Sequence, residues 1–314
     1  MNSPELESKM TEERSNLQRV LEAGCFSVTA EIGPPMSADA EAVREKARSV
    51  AGMIDAANVT DNQTAIVRMS SIAASALATQ EGVECVVQMV CRDRNRIALQ
   101  SDLLGAYALG LRNLLILSGD HQSFGNHPQA KNVFDVDSIQ LLQALSNLQE
   151  KGEFLGGNKS KFPPKFFLGA TANPFADPQE LQLIRLEKKI NAGARFIQTQ
   201  AIYNVDRFCE WMERVREKGL HERAYIQAGI LVNKSLKSVQ MTQQVAGMDI
   251  PDIFVERMEG AEDQKDEGLK IALELIAKLK TVEGVSGIHI MAVGWEEIVP
   301  TIVERAGFLP RPKV

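Results

Sequence analysis

Several absences narrow what this 314-residue chain can be. No apolar run approaches the ~20 residues that a membrane-spanning helix needs, which argues against a membrane protein of that kind. No basic block is present and the net charge is -6, so nucleic acid is not expected as the main partner. The four cysteines are Cys25, Cys85, Cys91 and Cys209, and none forms a C-x-x-C pair. That argues against a zinc or iron–sulfur site held by this chain alone. It fits a reducing cytoplasm, with the thiols acting as small buried hydrophobes. The opening MNSPELESKMTEERSNLQRV is polar and acidic, and reads as neither a secretory signal nor a transit peptide. The stretch GGNKS has no lysine at the place a phosphate loop requires, since Asn158 follows Gly157.

What is present is a repeat. Eight apolar, β-rich runs occur at 26–31, 54–60, 84–90, 113–118, 165–170, 195–200, 225–231 and 287–293. Helical patterns fill the intervals at 38–51, 66–78, 94–108, 136–150, 178–192, 205–218, 235–246 and 264–281, with a last helix at 295–305. Gly110, Gly193 and Gly219 stand just past helix ends, and Asp177-Pro178 marks a helix start. Strand and helix alternating eight times predicts a (β/α)8 barrel, a single domain over 1–314. An open doubly wound sheet would carry a Gly-rich first turn, and EIGPPMS contains no G-x-G-x-x-G. The residues before Gly24 read as an extra helix (1–22) that packs outside the barrel or closes its bottom.

Barrel chemistry sits at the C-terminal strand ends. Those ends read Glu31, Thr60 with Asn62, Gln88, Gly119-Asp120, Thr171 with Asn173, Gln200 and Asn233. A lone Glu31 before Gly33-Pro34-Pro35 would be a surface residue. Within a ring of polar groups it is expected to face a cleft. CRDRNR at 91–96 reads as a salt-bridged helix start, or as a holder of phosphate or carboxylate through arginine forks. His121 and His127 read as loop residues.

Four segments, in order, carry a resemblance. TAEIGPP resembles the acid-bearing opening of methylenetetrahydrofolate reductases, and LLILSGDHQ resembles that family's Gly-Asp segment. LEKKINAGARFIQTQAIYN is similar to its lysine-rich helix and Thr-Gln strand end, and AGIL with VNKSL to its next strand. The similarity runs from about residue 24 to the C-terminus.

The resemblance implies a flavin-bearing barrel that reduces 5,10-methylenetetrahydrofolate to 5-methyltetrahydrofolate, with flavin N5 as hydride donor. It implies Glu31 as general acid, with a pKa raised in a partly apolar mouth. Asp120 matches the aspartate beside the flavin, and Gln200 matches a pterin-binding glutamine. Thr60, Gln88, Ser118, Gly119, Asn173, Arg185, Lys188 and Lys189 fall at flavin-contacting positions. Leu236 stands where a phenylalanine stacks on nicotinamide. Gln88 and Asn173 replace a common histidine, and Ser118 a common arginine. FAD (the family default) and FMN therefore both stay open. So does the electron donor, NAD(P)H or an iron–sulfur partner subunit, in an oligomer or heteromeric complex. Two alternatives remain beside this reading. One is a pterin-binding methyltransferase barrel without flavin, and the other a subunit of a larger electron-transfer complex.

Overall fold

The computed structural model describes residues 14–245 and 247–314. In chain order the elements begin α1 (Asn16–Glu22), β1 (Ser27–Ile32), α2 (Ala40–Val50), β2 (Ala56–Val59), α3 (Ser71–Gln80) and β3 (Cys85–Val90). They continue with α4 (Arg96–Ala108), β4 (Asn113–Leu117), α5 (Ser138–Lys151), β5 (Phe167–Ala172), α6 (Gln179–Asn191) and β6 (Phe196–Ala201). They end with α7 (Val205–Glu217), β7 (Tyr225–Leu231), α8 (Leu236–Gln243), α9 (Asp252–Gly260), α10 (Gln264–Leu279), β8 (Val285–Met291) and α11 (Val299–Arg305). The strands pair in parallel, each with its sequence neighbours, and β8 closes on β1. This is the expected (β/α)8 barrel.

Strand parity sorts the side chains. Val28, Ala30 and Ile32 of β1, and Ile288 and Ile290 of β8, belong to the apolar layer between sheet and helices. The opposite parity fills the barrel interior. Its lower layer is apolar: Ala56, Val86, Leu115, Phe167 and Phe196 cluster with Leu17 and Leu21 of α1. Helix α1 therefore closes the bottom of the barrel. The Leu17 N–H donates to Glu84 Oε1 at 2.8 Å, and the Asn16 N–H also binds this carboxylate. Burial raises the Glu84 pKa, while these N–H donors and Asn113 oppose the rise. The part of the expected N-terminal helix within residues 1–13 lies outside the described residues.

Each of the eight expected strands is present, with one displacement that matters. Strand β5 runs Phe167–Ala172, two residues later than expected, which places Thr171 inside the strand at the mouth. Helix α3 starts at Ser71 because Ser70 caps it, its hydroxyl accepting the Ala73 N–H at 3.2 Å. Helix α9 was not expected. It follows Pro251 and starts with Asp252, an ordinary helix-start pair.

The chain's end straps the bottom of the barrel. Arg311 pairs with buried Asp55 and donates to the Phe26 carbonyl at 2.9 Å.

Candidate active site

A cavity of about 510 Å³ opens at the C-terminal ends of the strands. Its lining includes Glu31, Gln88, Ser118, Gly119, Asp120, Asn173, Arg185, Lys189 and Gln200. Nine of the positions singled out by resemblance thus meet in one space. Thr60, Lys188 and Leu236 are not part of that lining. Thr60 is buried behind it, with its hydroxyl lacking a hydrogen-bond partner. Lys188 is exposed on α6. Leu236 begins α8, packs against the core and donates its N–H to Gln264 Oε1 at 3.0 Å.

Glu31 is held from both sides. The turn after it, Gly33-Pro34-Pro35, presents three carbonyls, and each has a donor. Lys46 Nζ reaches Gly33 at 3.0 Å, Arg68 Nη1 reaches Pro34 at 3.0 Å, and the Met69 N–H reaches Pro35 at 2.9 Å. Lys46 also pairs with Glu296 at 2.8 Å, tying the β1 turn to the segment after β8. The stop signal in the sequence is a clamped turn that fixes the strand end carrying the acid.

Within the cavity, Glu31 Oε1 accepts from Gln88 Nε2 at 3.4 Å and lies 3.6 Å from His289 Nε2. His289 Nδ1 lies 2.9 Å from Thr29 Oγ1. The nearest polar neighbours of Glu31 are thus an amide and an imidazole, in a cavity whose lining also includes Val90, Leu115, Leu117 and Met291. His289 was not foreseen. Its signal was parity: in GIHIM the isoleucines face the helices, so the histidine faces the interior, and the parallel register sets it beside Thr29.

Asp120 is exposed at the rim, and its backbone is anchored from below. Arg92 Nη1 donates to the Asp120 carbonyl at 3.0 Å and Nη2 to the Asn62 carbonyl at 3.2 Å. Gly119 adopts φ +90°, and a Cβ there would stand 3.1 Å from the side chains of both Arg92 and Val90. The positive φ favours glycine, and the close approach adds to that preference. The basic cluster is a salt-bridged support: Arg92 binds Asp93, Arg94 binds Asp61 and Asp102, and Arg96 binds Asp135.

On the far wall, Lys189 is buried. Its ammonium donates to the Thr171 carbonyl at 2.6 Å and has no carboxylate partner among the described residues. Burial, aided by nearby Arg185, pushes its pKa down to about 8. Between about 8 and the ordinary 10.5, the unfolded chain carries a proton on this group that the folded chain lacks, so stability rises with pH across that window. We expect Lys189→Met to stabilise the unliganded protein by about 2 kcal/mol near neutral pH. The gain should shrink as pH rises through the window, as read by urea unfolding at both ends. Such a cation is held at a cost to folding, which fits a ligand anion.

The mouth thus brings together a carboxylate beside an imidazole, the amide of Gln200, and the cations Arg185 and Lys189, which have no ion pair among the described residues. Residues 16–307 match the methylenetetrahydrofolate reductase family, and the chain belongs to it. "Methylenetetrahydrofolate reductase 2" of Saccharomyces cerevisiae is 27% identical over 77% of this chain and 40% of its own length. The 5,10-methylenetetrahydrofolate reductase of Pectobacterium carotovorum is 24% identical over 73% of this chain and 72% of its own. The chain spans 35–40% of the length of the yeast and nematode relatives. A solved structure with the same fold has a TM-score of 0.66 at 14% identity, covering 92% of this chain and 98% of the other. It is described as an uncharacterized protein from Clostridium thermocellum that binds two copies of 5-methyl-5,6,7,8-tetrahydrofolic acid.

Proposed function

We propose that this protein reduces 5,10-methylenetetrahydrofolate to 5-methyltetrahydrofolate with a bound flavin. The observation that carries the reading is the Glu31–His289–Gln88 group on the cavity wall, in a chain of this family. Opening the methylene bridge of the folate requires a proton at N10, and Glu31 is the carboxyl placed to give it. Gln88 and His289 orient that carboxyl. Gln200 lines the same cavity, and its side-chain amide has no partner among the described residues, so it can donate and accept at a pterin edge. Structural kinship with the folate-binding Clostridium protein is in keeping with this reading, at the level of fold.

The residues fit a flavin. Lys189 and Arg185, neither of them ion-paired, suit its phosphate. Gly119 and Asp120 bring the β4 loop to the cavity, and the unpaired Thr60 hydroxyl lies buried behind the wall. When bound, the flavin supplies the hydride that the folate carbon receives. Asp120 at the rim keeps the surroundings negative. FAD and FMN both satisfy these groups, and electrons would arrive from NAD(P)H or from a partner subunit. Leu236 lies outside the lining and offers no ring for a nicotinamide to stack on.

Gln200→Ala is expected to weaken folate binding by about 1–3 kcal/mol, the loss of one or two hydrogen bonds, and to leave flavin affinity nearly unchanged. Calorimetric titration with 5-methyltetrahydrofolate and with flavin checks both arms. Equal losses for the two ligands would remove Gln200 from folate recognition.

A further inference from the structure

Folding leaves Arg68 short of partners at the mouth. It lies half-buried in the loop after β2. The backbone there is held on both sides. The Arg68 N–H donates to Asn62 Oδ1 at 3.0 Å, and the next N–H, of Met69, donates to the Pro35 carbonyl at 2.9 Å. Among the described residues the guanidinium bonds only the Pro34 carbonyl, from Nη1, and no carboxylate pairs with it. Its Nε is buried without a hydrogen-bond partner.

A guanidinium carries five N–H donors, and its planar fork suits a carboxylate. The neighbouring cations are already matched. Lys46, on the same β1 turn, pairs with Glu296, and Arg94 pairs with Asp61 and Asp102. A carboxylate arriving at this edge of the mouth therefore meets Arg68.

The proposed folate geometry sends a carboxylate there. Glu31 is placed to protonate N10, and N10 is bonded directly to the benzoyl ring, whose other end carries the glutamate. Glu31 is the next-to-last residue of β1 and Pro34 lies beyond the strand end, so the path from Glu31 to Arg68 runs outward. Three residues of chain reach at most about 11 Å, and a benzoyl-glutamate spans roughly 10 Å from N10 to its carboxylates. Along that path Met36 and Val67 stand 62% and 56% exposed, Met36 next to Pro35 and Val67 next to Arg68. They offer apolar contact to the ring.

We infer that Arg68 binds a glutamate carboxylate of the folate, and that Met36 and Val67 take the benzoyl ring, so that this edge of the mouth selects for the charged tail. The inference rests on the proposed placement of N10 at Glu31.

The test compares two ligands on the purified full chain by calorimetry. One is 5-methyltetrahydrofolate. The other is its diamide, in which uncharged carboxamides of nearly the same size replace both glutamate carboxylates. The wild type should bind the folate roughly tenfold more tightly than the diamide, as expected for a charge-assisted pair at a half-buried site. Arg68→Gln should bring the two affinities together. The ratio is the readout, so a shift of the Pro34 turn that weakens both ligands alike does not imitate the effect. Met36→Ser should weaken both ligands by a similar factor and leave the ratio unchanged. Unaltered affinities in that variant would remove Met36 from the ring contact. A wild type that binds both ligands equally overturns the inference without any variant. A folded Arg68→Gln that keeps the preference overturns the assignment to Arg68. A wild type that binds neither ligand overturns the proposed folate site itself and this inference with it, a different failure from loss of the preference alone.

Discussion

Glu31→Gln is expected to slow folate reduction by about 10²–10⁴ while the protein still binds flavin and folate. The substitution preserves size and hydrogen-bonding reach, so the clamped β1 turn and the contact with Gln88 survive. Only the proton is lost. In free energy the loss is roughly 3–5 kcal/mol of transition-state stabilisation, the contribution of one well-placed general acid. Rapid-mixing measurement of product formation, beside ligand binding to the same variant, separates chemistry from affinity. Near wild-type turnover would remove Glu31 from the mechanism.

Phe196→Ala is expected to destabilise the fold by about 3–5 kcal/mol. Phe196 is fully buried in the lower layer of the barrel interior and stacks on Phe167, with ring centroids 5.0 Å apart. It also meets the closing helix through Leu17 and Leu21. Gly169 exists to admit it: a Cβ there would stand 2.2 Å from the Phe196 ring. Truncating the ring leaves a cavity that neighbouring strands cannot collapse into, because their spacing is fixed by hydrogen bonds. Urea unfolding of the variant reads the loss directly. A change below about 1 kcal/mol would mean that the layer repacks freely.

The fold was legible because alternation of strand and helix is a strong, repeated signal. What the sequence read poorly were properties of neighbours far apart in the chain. Strand β5 slid by two residues because its apolar run gives no sharp boundary, and only pairing with β4 and β6 sets its register. Helix α9 follows Pro251 and begins at Asp252, a start that can be read, but it lay between two stronger helical patterns. The site residues divide the same way. Glu31, Gln88, Asp120 and Gln200 stand at or near strand ends, so their shared destination followed from the barrel. His289 and Gln198 lie deeper, where parity points them inward and the partners Thr29 and Asn58 come from other strands. Leu236 was placed by resemblance, yet at the start of α8 it packs, partly buried, against the core and outside the cavity lining. The three arginines of the basic cluster could not be told from a ligand site until Asp61, Asp102 and Asp135 were seen to pair with two of them.

The central claim is that this one cavity carries hydride from flavin to folate. A single anaerobic turnover tests it most directly: the purified protein, loaded with flavin and chemically reduced, is mixed with 5,10-methylenetetrahydrofolate. The account predicts flavin reoxidation in step with the appearance of one equivalent of 5-methyltetrahydrofolate. Flavin that stays reduced with saturating folate bound, or a protein that retains no flavin at all, would contradict it.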